Sequence, residues 1–249
     1  MLEVAAAGQK PVIVIFVGAD HDALQSRYGD RLIITRTLAE AALQALSISN
    51  TGKSIDVGQQ HAVATGTITS EHHLAALFSG GTLCDEAMHI WVEHIGPIYS
   101  NIPLDPAWRL AQGSRVKGHF AIDFGADEYT HGRPHPMIDP ALRLKRLQEE
   151  ASNPLVGVIL LDMVLGYCSH PDPAAVYAPA IASALDQAAL EGRSLTFVIS
   201  LCGTDGDPQH LSAQSARFHE AGAEVFTANA DAAWRCIEYY FSDRMSAKH

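Results

Sequence analysis

Apolar residues fall into short unbroken runs, separated by polar, glycine-bearing loops and by stretches with helical spacing. The first run, Pro11–Val17, reads as a buried strand ending at Gly18-Ala-Asp20. Ile33-Ile-Thr35 reads as a short strand, and a helix is expected around Leu38–Leu46 with Thr37 as its N-cap. The residues before Pro11 read as the last turns of another helix. Residues 50–70, rich in Asn, Thr, Gly, Ser and Gln, read as a linker.

From residue 71 the alternation becomes regular. Strand-like runs at Leu74–Phe78, His119–Phe124, Val156–Leu161, Leu195–Ser200 and Glu224–Phe226 are each followed by a helical stretch: Leu83–Ile95, Pro140–Ala151, Ala174–Ala189, Leu211–Ala221 and Ala232–Phe241. Five βα units in succession imply an α/β fold, a doubly wound parallel sheet of flavodoxin-like type with helices on both faces. The expected division is 1–70, a small N-terminal α/β remnant with its linker, and 71–249, the flavodoxin-type domain. The remnant is too small for a core of its own. It either packs on the larger part or belongs to a longer domain, and its exposed apolar face would call for a partner or a second copy.

Charge narrows the function classes. A net charge of −11 argues against non-specific binding to nucleic acid or to an anionic membrane, because both need basic patches. The apolar runs are too short to span a bilayer, and the N-terminus has no basic segment leading into an apolar stretch. The four cysteines, Cys84, Cys168, Cys202 and Cys236, are far apart without a CxxC pair, which fits a reducing, cytoplasmic setting.

In a doubly wound sheet, ligands bind at the carboxyl ends of the strands where strand order reverses, here at Ser79–Thr82 and Asp162–His170. Ser79-Gly80-Gly81-Thr82 places two glycines and two hydroxyls at a helix start, whose free N–H groups favour an anion. The alternative is a tight turn with Ser79 or Thr82 as a cap. The loop after the second strand carries Arg133, His135 and Asp139, stiffened by Pro134 and Pro136. Arg133 can grip a carboxylate or phosphate with its fork, or the loop is structural and Asp139 caps the next helix. The prolines forbid a regular helix that would aim His131 and His135 at one zinc ion, and no third ligand is indicated, so no metal site is expected there. Asp205 and Asp207 either hold Mg²⁺ through water or build a turn. Asp162, ending a buried strand, needs a partner such as Arg133 or a substrate amide. Cys84, in the first turn of a helix, is expected to have a lowered pKa. Asn50-Thr-Gly-Lys-Ser54 lacks the leading glycine and the preceding strand of a phosphate-binding P-loop.

The run Leu77-Phe-Ser-Gly-Gly-Thr-Leu-Cys-Asp-Glu-Ala-Met88 resembles the helix start of succinyl-CoA synthetase alpha subunits, where the helix N-terminus holds the phosphate of a phosphohistidine. The closer resemblance is to the FdrA family of predicted acyl-CoA synthetases. It is carried by Phe78–Cys84, Asp123–Glu128, Gly132-Arg-Pro-His-Pro-Met-Ile-Asp-Pro140, Leu160–Gly166 and Cys202-Gly-Thr-Asp-Gly-Asp-Pro208. The resemblance implies a subunit that handles an acyl or carbamoyl phosphate, with carbamoyl transfer to or from an oxamate-like substrate in company with other subunits. Ser79, Gly80, Gly81 and Thr82 would hold phosphate. Arg133, His135, Asp139, Gly203, Thr204 and Asp205 would hold an anionic small-molecule substrate. His210 stands near the phosphohistidine position and Asp162 near its partner glutamate. The chain departs from the pattern in two places. The context Gly-His-Ala-Gly is absent around His210, and no GxGxxG occurs in the first part, so CoA binding is not expected without a CoA-binding N-terminal domain. The other reading is a non-catalytic scaffold that completes a partner's site in a homo- or hetero-oligomer.

Overall fold

A computed structural model describes residues 1–49, 72–114 and 118–246. The linker at 50–70 and the Asn50–Ser54 segment lie outside the described residues. The chain forms two compact units, Met1–Gln59 and Gln60–His249.

In the smaller unit, α1 (Leu2–Ala6) precedes β1 (Ile13–Ile15), α2 (His21–Tyr28), β2 (Ile33–Thr35) and α3 (Leu38–Ser49). The two strands pair in parallel, with Ile13 opposite Ile33. The first strand is shorter than the apolar run, and α2 had no periodic apolar signal to announce it. Its start is fixed by Asp20, whose carboxylate accepts from the Ala23 N–H at 2.9 Å. Thr37 caps α3 as expected: its hydroxyl oxygen accepts from the Glu40 N–H, and Glu40 accepts in return from the Thr37 N–H. Val14, Tyr28 and Leu32 form a minimal core with Ala6. No side chain of α3 is buried, and Leu43 and Ile48 stand exposed.

The larger unit runs β3 (His73–Phe78), α4 (Gly81–Ile95), β4 (Tyr99–Ser100), a 3₁₀ turn at Pro106–Trp108, β5 (Phe120–Asp123), α5 (Asp127–Thr130), α6 (Ala141–Ala151), β6 (Val156–Val164), α7 (Pro173–Leu190), β7 (Thr196–Cys202), α8 (Leu211–Glu220), β8 (Glu224–Phe226) and α9 (Asn229–Ser246). Among the described residues the strand order is β4-β5-β3-β6-β7-β8, all parallel. Without the short edge strand β4, this is the flavodoxin-like order read from the sequence. The doubly wound α/β class is therefore correct.

Burial on both faces explains why the strands are continuous apolar runs rather than alternating ones. Side chains alternate across the sheet, so Ala75, Leu77, Ile159 and Ile199 pack on one side with Leu147 of α6, Ile181 of α7 and Phe218 of α8. Leu74, Ala76, Phe78 and Leu160 pack on the other with Trp91 of α4 and Ile237 of α9. Trp91 closes the α4–α9 contact by donating its indole N–H to the Ala233 carbonyl at 2.9 Å.

His119 ties β3 to the strand beside it. Its Nδ1 accepts from the Leu74 N–H at 3.0 Å, so the ring must be neutral to make the bond. Burial pushes its pKa down from 6.5 to about 4, with the neighbouring His73 adding to the fall. A depressed folded pKa gives stability that is present above 6.5 and lost as pH falls through about 4. Roughly 2–3 kcal/mol should disappear over that window, at about 1.4 kcal/mol per pH unit. Urea unfolding between pH 7 and 4 checks this. His119→Asn keeps an acceptor for Leu74 and should flatten much of the slope, leaving the smaller part due to His73, whose pKa burial also lowers.

Candidate functional site

The carboxyl end of β3 meets the start of α4 at the point where the chain leaves the sheet in opposite directions from β3 and β6. Gly80, in extended conformation, is the N-cap of α4 and supplies no side-chain acceptor. The N–H groups of Gly81, Thr82 and Leu83 are thus left without a capping acceptor, and no acidic residue occupies the first turn. Thr82 is exposed and its hydroxyl adds a donor at the same end.

Ser79 is not part of that donor set, contrary to the sequence reading. It is buried, its N–H donates to Asp162 Oδ1 at 2.8 Å, and its hydroxyl donates to Asp162 Oδ2 at 2.7 Å. Asp162 in turn faces Arg143 rather than Arg133. The Arg143 guanidinium donates from Nη1 to Asp162 Oδ1 at 2.5 Å and from Nη2 to the Asp162 carbonyl at 2.7 Å. Its Nε donates to the Tyr177 hydroxyl at 2.8 Å. Asp162 and Arg143 are 1% and 2% exposed, so both charges are out of water and depend on each other. The result is a clamp: β6, α6 and α7 together hold the β3–α4 turn in place. Asp162 is therefore a positioning residue here, and its oxygens are engaged by protein donors.

A second carboxylate faces the turn. Asp123, at the end of β5, lies with Oδ2 3.2 Å from where a side chain on Gly81 would begin. Its Oδ1 accepts from the Gly125 N–H at 2.7 Å, and Asn101 brackets its backbone with two hydrogen bonds of 2.9 Å. Burial raises the Asp123 pKa, opposed by the Gly125 N–H. His135 reaches the same spot. Its Nδ1 accepts from the Met137 N–H at 3.3 Å, so the tautomer that makes this bond carries its proton on Nε2. That Nε2 and Asp123 Oδ1 each come within 3.0 Å of where a Gly125 side chain would begin. Of the loop residues named from the sequence, His135 thus joins the site, and Asp139 accepts from the Ala141 N–H at 3.0 Å just ahead of α6, whose N-cap is Pro140. Arg133 lines an adjoining cleft with Lys145.

The loop after β7 behaves differently. Both oxygens of Asp205 accept from Ser212, and Asp207 accepts from the N–H and hydroxyl of Thr204. These are turn and cap bonds at the head of α8, so the Mg²⁺ reading of this pair gives way to the turn. Gly203 is a packing residue: a side chain there would start 2.7 Å from Leu165 Cβ. His210 is exposed with φ 56°, in the left-handed region, and its Nδ1 sits 3.1 Å from the carbonyl of Asp205 in its own loop. Among the described residues no hydrogen bond or ion pair joins His210 to Ser79, Asp123 or Asp162.

Cys84 also corrects the sequence reading. Although it lies in the first turn of α4, complete burial pushes its thiol well up, and the Asp123 and Asp162 carboxylates add to the rise. Arg143, Tyr177, Asp123 and Gly125 were not singled out as site residues. Arg143 did leave a trace, because it sits four residues before Leu147 and eight before Ala151, on the inward face of an amphipathic helix.

A protein-family model described as CoA-ligase matches residues 77–235, which includes every element of the clamp. The uncharacterized protein YahF of Escherichia coli K12 is 39% identical over 228 residues, covering 89% of this chain and 44% of YahF. The chain thus spans less than half the length of that curated relative. Among the described residues no helix is long and apolar enough to cross a membrane.

Proposed function

Because the chain belongs to the CoA-ligase family, we propose that its larger unit is the phosphate-handling domain of an acyl-CoA-synthetase-like enzyme of the FdrA type. The observation that carries this reading is the uncapped N-terminus of α4, fixed at the switch point by the buried Ser79–Asp162–Arg143 clamp. The N–H groups of Gly81 and Thr82, with the Thr82 hydroxyl, bind the phosphate of an acyl or carbamoyl phosphate. Ser79, through Asp162, holds the turn in its binding geometry. Asp123 faces the same turn, its carboxyl pKa raised by burial. His135 adds the Nε2–H beside it. Fixed donors of this kind stabilise charge that develops during acyl or phosphoryl transfer. The reaction we favour is carbamoyl transfer to or from an oxamate-like acid, because His210 faces its own loop and a phosphohistidine route has no support there. Any CoA site lies with an N-terminal CoA-binding domain or a partner subunit.

Melting temperature tests this. Phosphate and carbamoyl phosphate are each expected to raise it, and CoA alone is not. A ligand at about a hundred times its dissociation constant adds roughly 2.7 kcal/mol. Gly81→Val, whose side chain starts 3.2 Å from Asp123 Oδ2 and grows across the N–H groups, should abolish the rise without unfolding the sheet. An unchanged rise in Gly81→Val would remove phosphate from α4.

One observation favours a second reading, a scaffold that completes a partner's site. Two carboxylates, Asp123 and Asp162, flank the anion site, and the buried cation beside them, Arg143, is paired to Asp162. No rise in melting temperature with either phosphate compound, together with a rise once a partner subunit is added, would support it.

A further inference from the structure

An anion at the head of α4 meets a carboxylate. Asp123 is 5% exposed, and its Oδ1 is held by the Gly125 N–H at 2.7 Å. Asn101 fixes its backbone through both the N–H and the carbonyl. The other oxygen, Oδ2, is thereby aimed at Gly81 and lies 3.2 Å from where a side chain there would begin. Among the described residues no hydrogen bond reaches Oδ2, and no ion pair joins Asp123 to a cation.

The neighbours do not supply the missing charge. Arg143 is committed to Asp162 and Tyr177. His135 accepts the Met137 N–H at Nδ1, so the ring is neutral and its Nε2 carries a proton instead of a lone pair for a metal. The helix N–H groups attract an anion, which the Asp123 carboxylate repels. Oδ2 attracts a cation, which the positive end of the helix repels. A cation and an anion bound together satisfy both groups. Magnesium suits this arrangement, because it is held by a carboxylate or two plus phosphate oxygens and keeps several waters. Among the described residues no group of three or more acidic, histidine or cysteine side chains could hold an ion without the phosphate.

We propose that the head of α4 binds a magnesium–phosphate pair, with phosphate on the N–H groups of Gly81 and Thr82 and magnesium between a phosphate oxygen and Asp123 Oδ2. Water completes the metal's shell. The inference rests on the phosphate reading above and adds the metal to it. It accounts for an anion site flanked by carboxylates: Arg143 neutralises Asp162, and the metal neutralises Asp123. Placed there, the cation also draws charge from the phosphate as a bond to it breaks.

The test titrates phosphate into the full chain by calorimetry, once with magnesium chloride and once with EDTA and potassium chloride at matched ionic strength. Magnesium should tighten phosphate by about tenfold or more, and phosphate should tighten magnesium by the same factor, since coupling between two ligands is reciprocal. Manganese(II) read by EPR should lose its free-ion signal far more with chain and phosphate together than with either alone. Asp123→Asn keeps an oxygen for the Gly125 N–H and removes the charge. It should bind phosphate in EDTA more tightly than wild type and lose the response to magnesium. A purely structural role for Asp123 would instead weaken phosphate in both media alike. The wild-type linkage stands as a test even if this variant fails to fold. Equal phosphate affinity in magnesium and in potassium overturns the metal and leaves the phosphate reading in place. A magnesium response that persists in Asp123→Asn overturns Asp123 as its ligand. Absence of phosphate binding in either medium removes the phosphate reading and the metal with it.

Discussion

Arg143→Met is expected to destabilise the larger unit by about 3–5 kcal/mol, the usual consequence of removing one partner from a buried ion pair. Arg143 is 2% exposed, and three of its donor nitrogens act on Asp162 and Tyr177. Methionine fills the space left by the stem but leaves the Asp162 carboxylate in the interior with only Ser79 to solvate it. For a unit of this size the loss reads as a fall in melting temperature of roughly 6–20 °C. The double variant Arg143→Met/Asp162→Asn should recover much of it. Asparagine still accepts from the Ser79 N–H, and the uncompensated charge is gone. A single variant that melts within 2 °C of wild type would mean that water reaches the pair. In that case the clamp does not hold the β3–α4 turn.

Gly125→Ala should cost about 1–3 kcal/mol by overpacking, more than its single added methyl suggests. The new Cβ would lie 2.6 Å from the Ser79 carbonyl oxygen, 3.0 Å from Asp123 Oδ1 and 3.0 Å from His135 Nε2. The first of these is backbone held by the clamp and cannot swing aside, so the turn after β5 must move. Asp123 and His135 then leave the position that faces Gly81, and the phosphate-induced rise in melting temperature should shrink along with stability. Gly80→Ala is the control. Nothing lies within 4 Å of a Cβ at Gly80, and its φ of −160° is open to any residue. Normal melting and an undiminished phosphate response in Gly125→Ala would sink the assignment of Asp123 and His135.

The two glycines of Ser79-Gly80-Gly81-Thr82 show how far a sequence reaches. Both look equally tight in the motif, yet one has open space around it and the other faces a carboxylate 42 positions away in strand β5. The hydroxyls divide in the same way. Thr82 stays at the helix end, whereas Ser79 turns inward to Asp162. Local spacing announced a turn and a helix start. Which donors remain free there depends on what the neighbouring strands place beside them.

What the sequence determined is the layered sheet. Five apolar runs too continuous for a one-faced strand, each followed by a helical period, admit few arrangements other than parallel strands buried on both sides. The positions of those runs fixed the switch point and with it the region of the site. The capping pair Thr37 and Glu40 was also legible, because it acts within four residues. Tertiary structure alone decided the chemistry inside that region. Asp162 required a partner, and the sequence pointed to Arg133 or a substrate amide, whereas the structure supplies Arg143. Selection of Arg143 follows from the helical phase of α6, which turns that residue inward beside Leu147 while Arg133 remains on the exposed loop. The Cys84 thiol went against its helix position for the same kind of reason. Burial and two carboxylates from distant strands outweigh one helix terminus. Charge, solvation and close approach are properties of neighbours in space, and those neighbours exist only once the strands are paired.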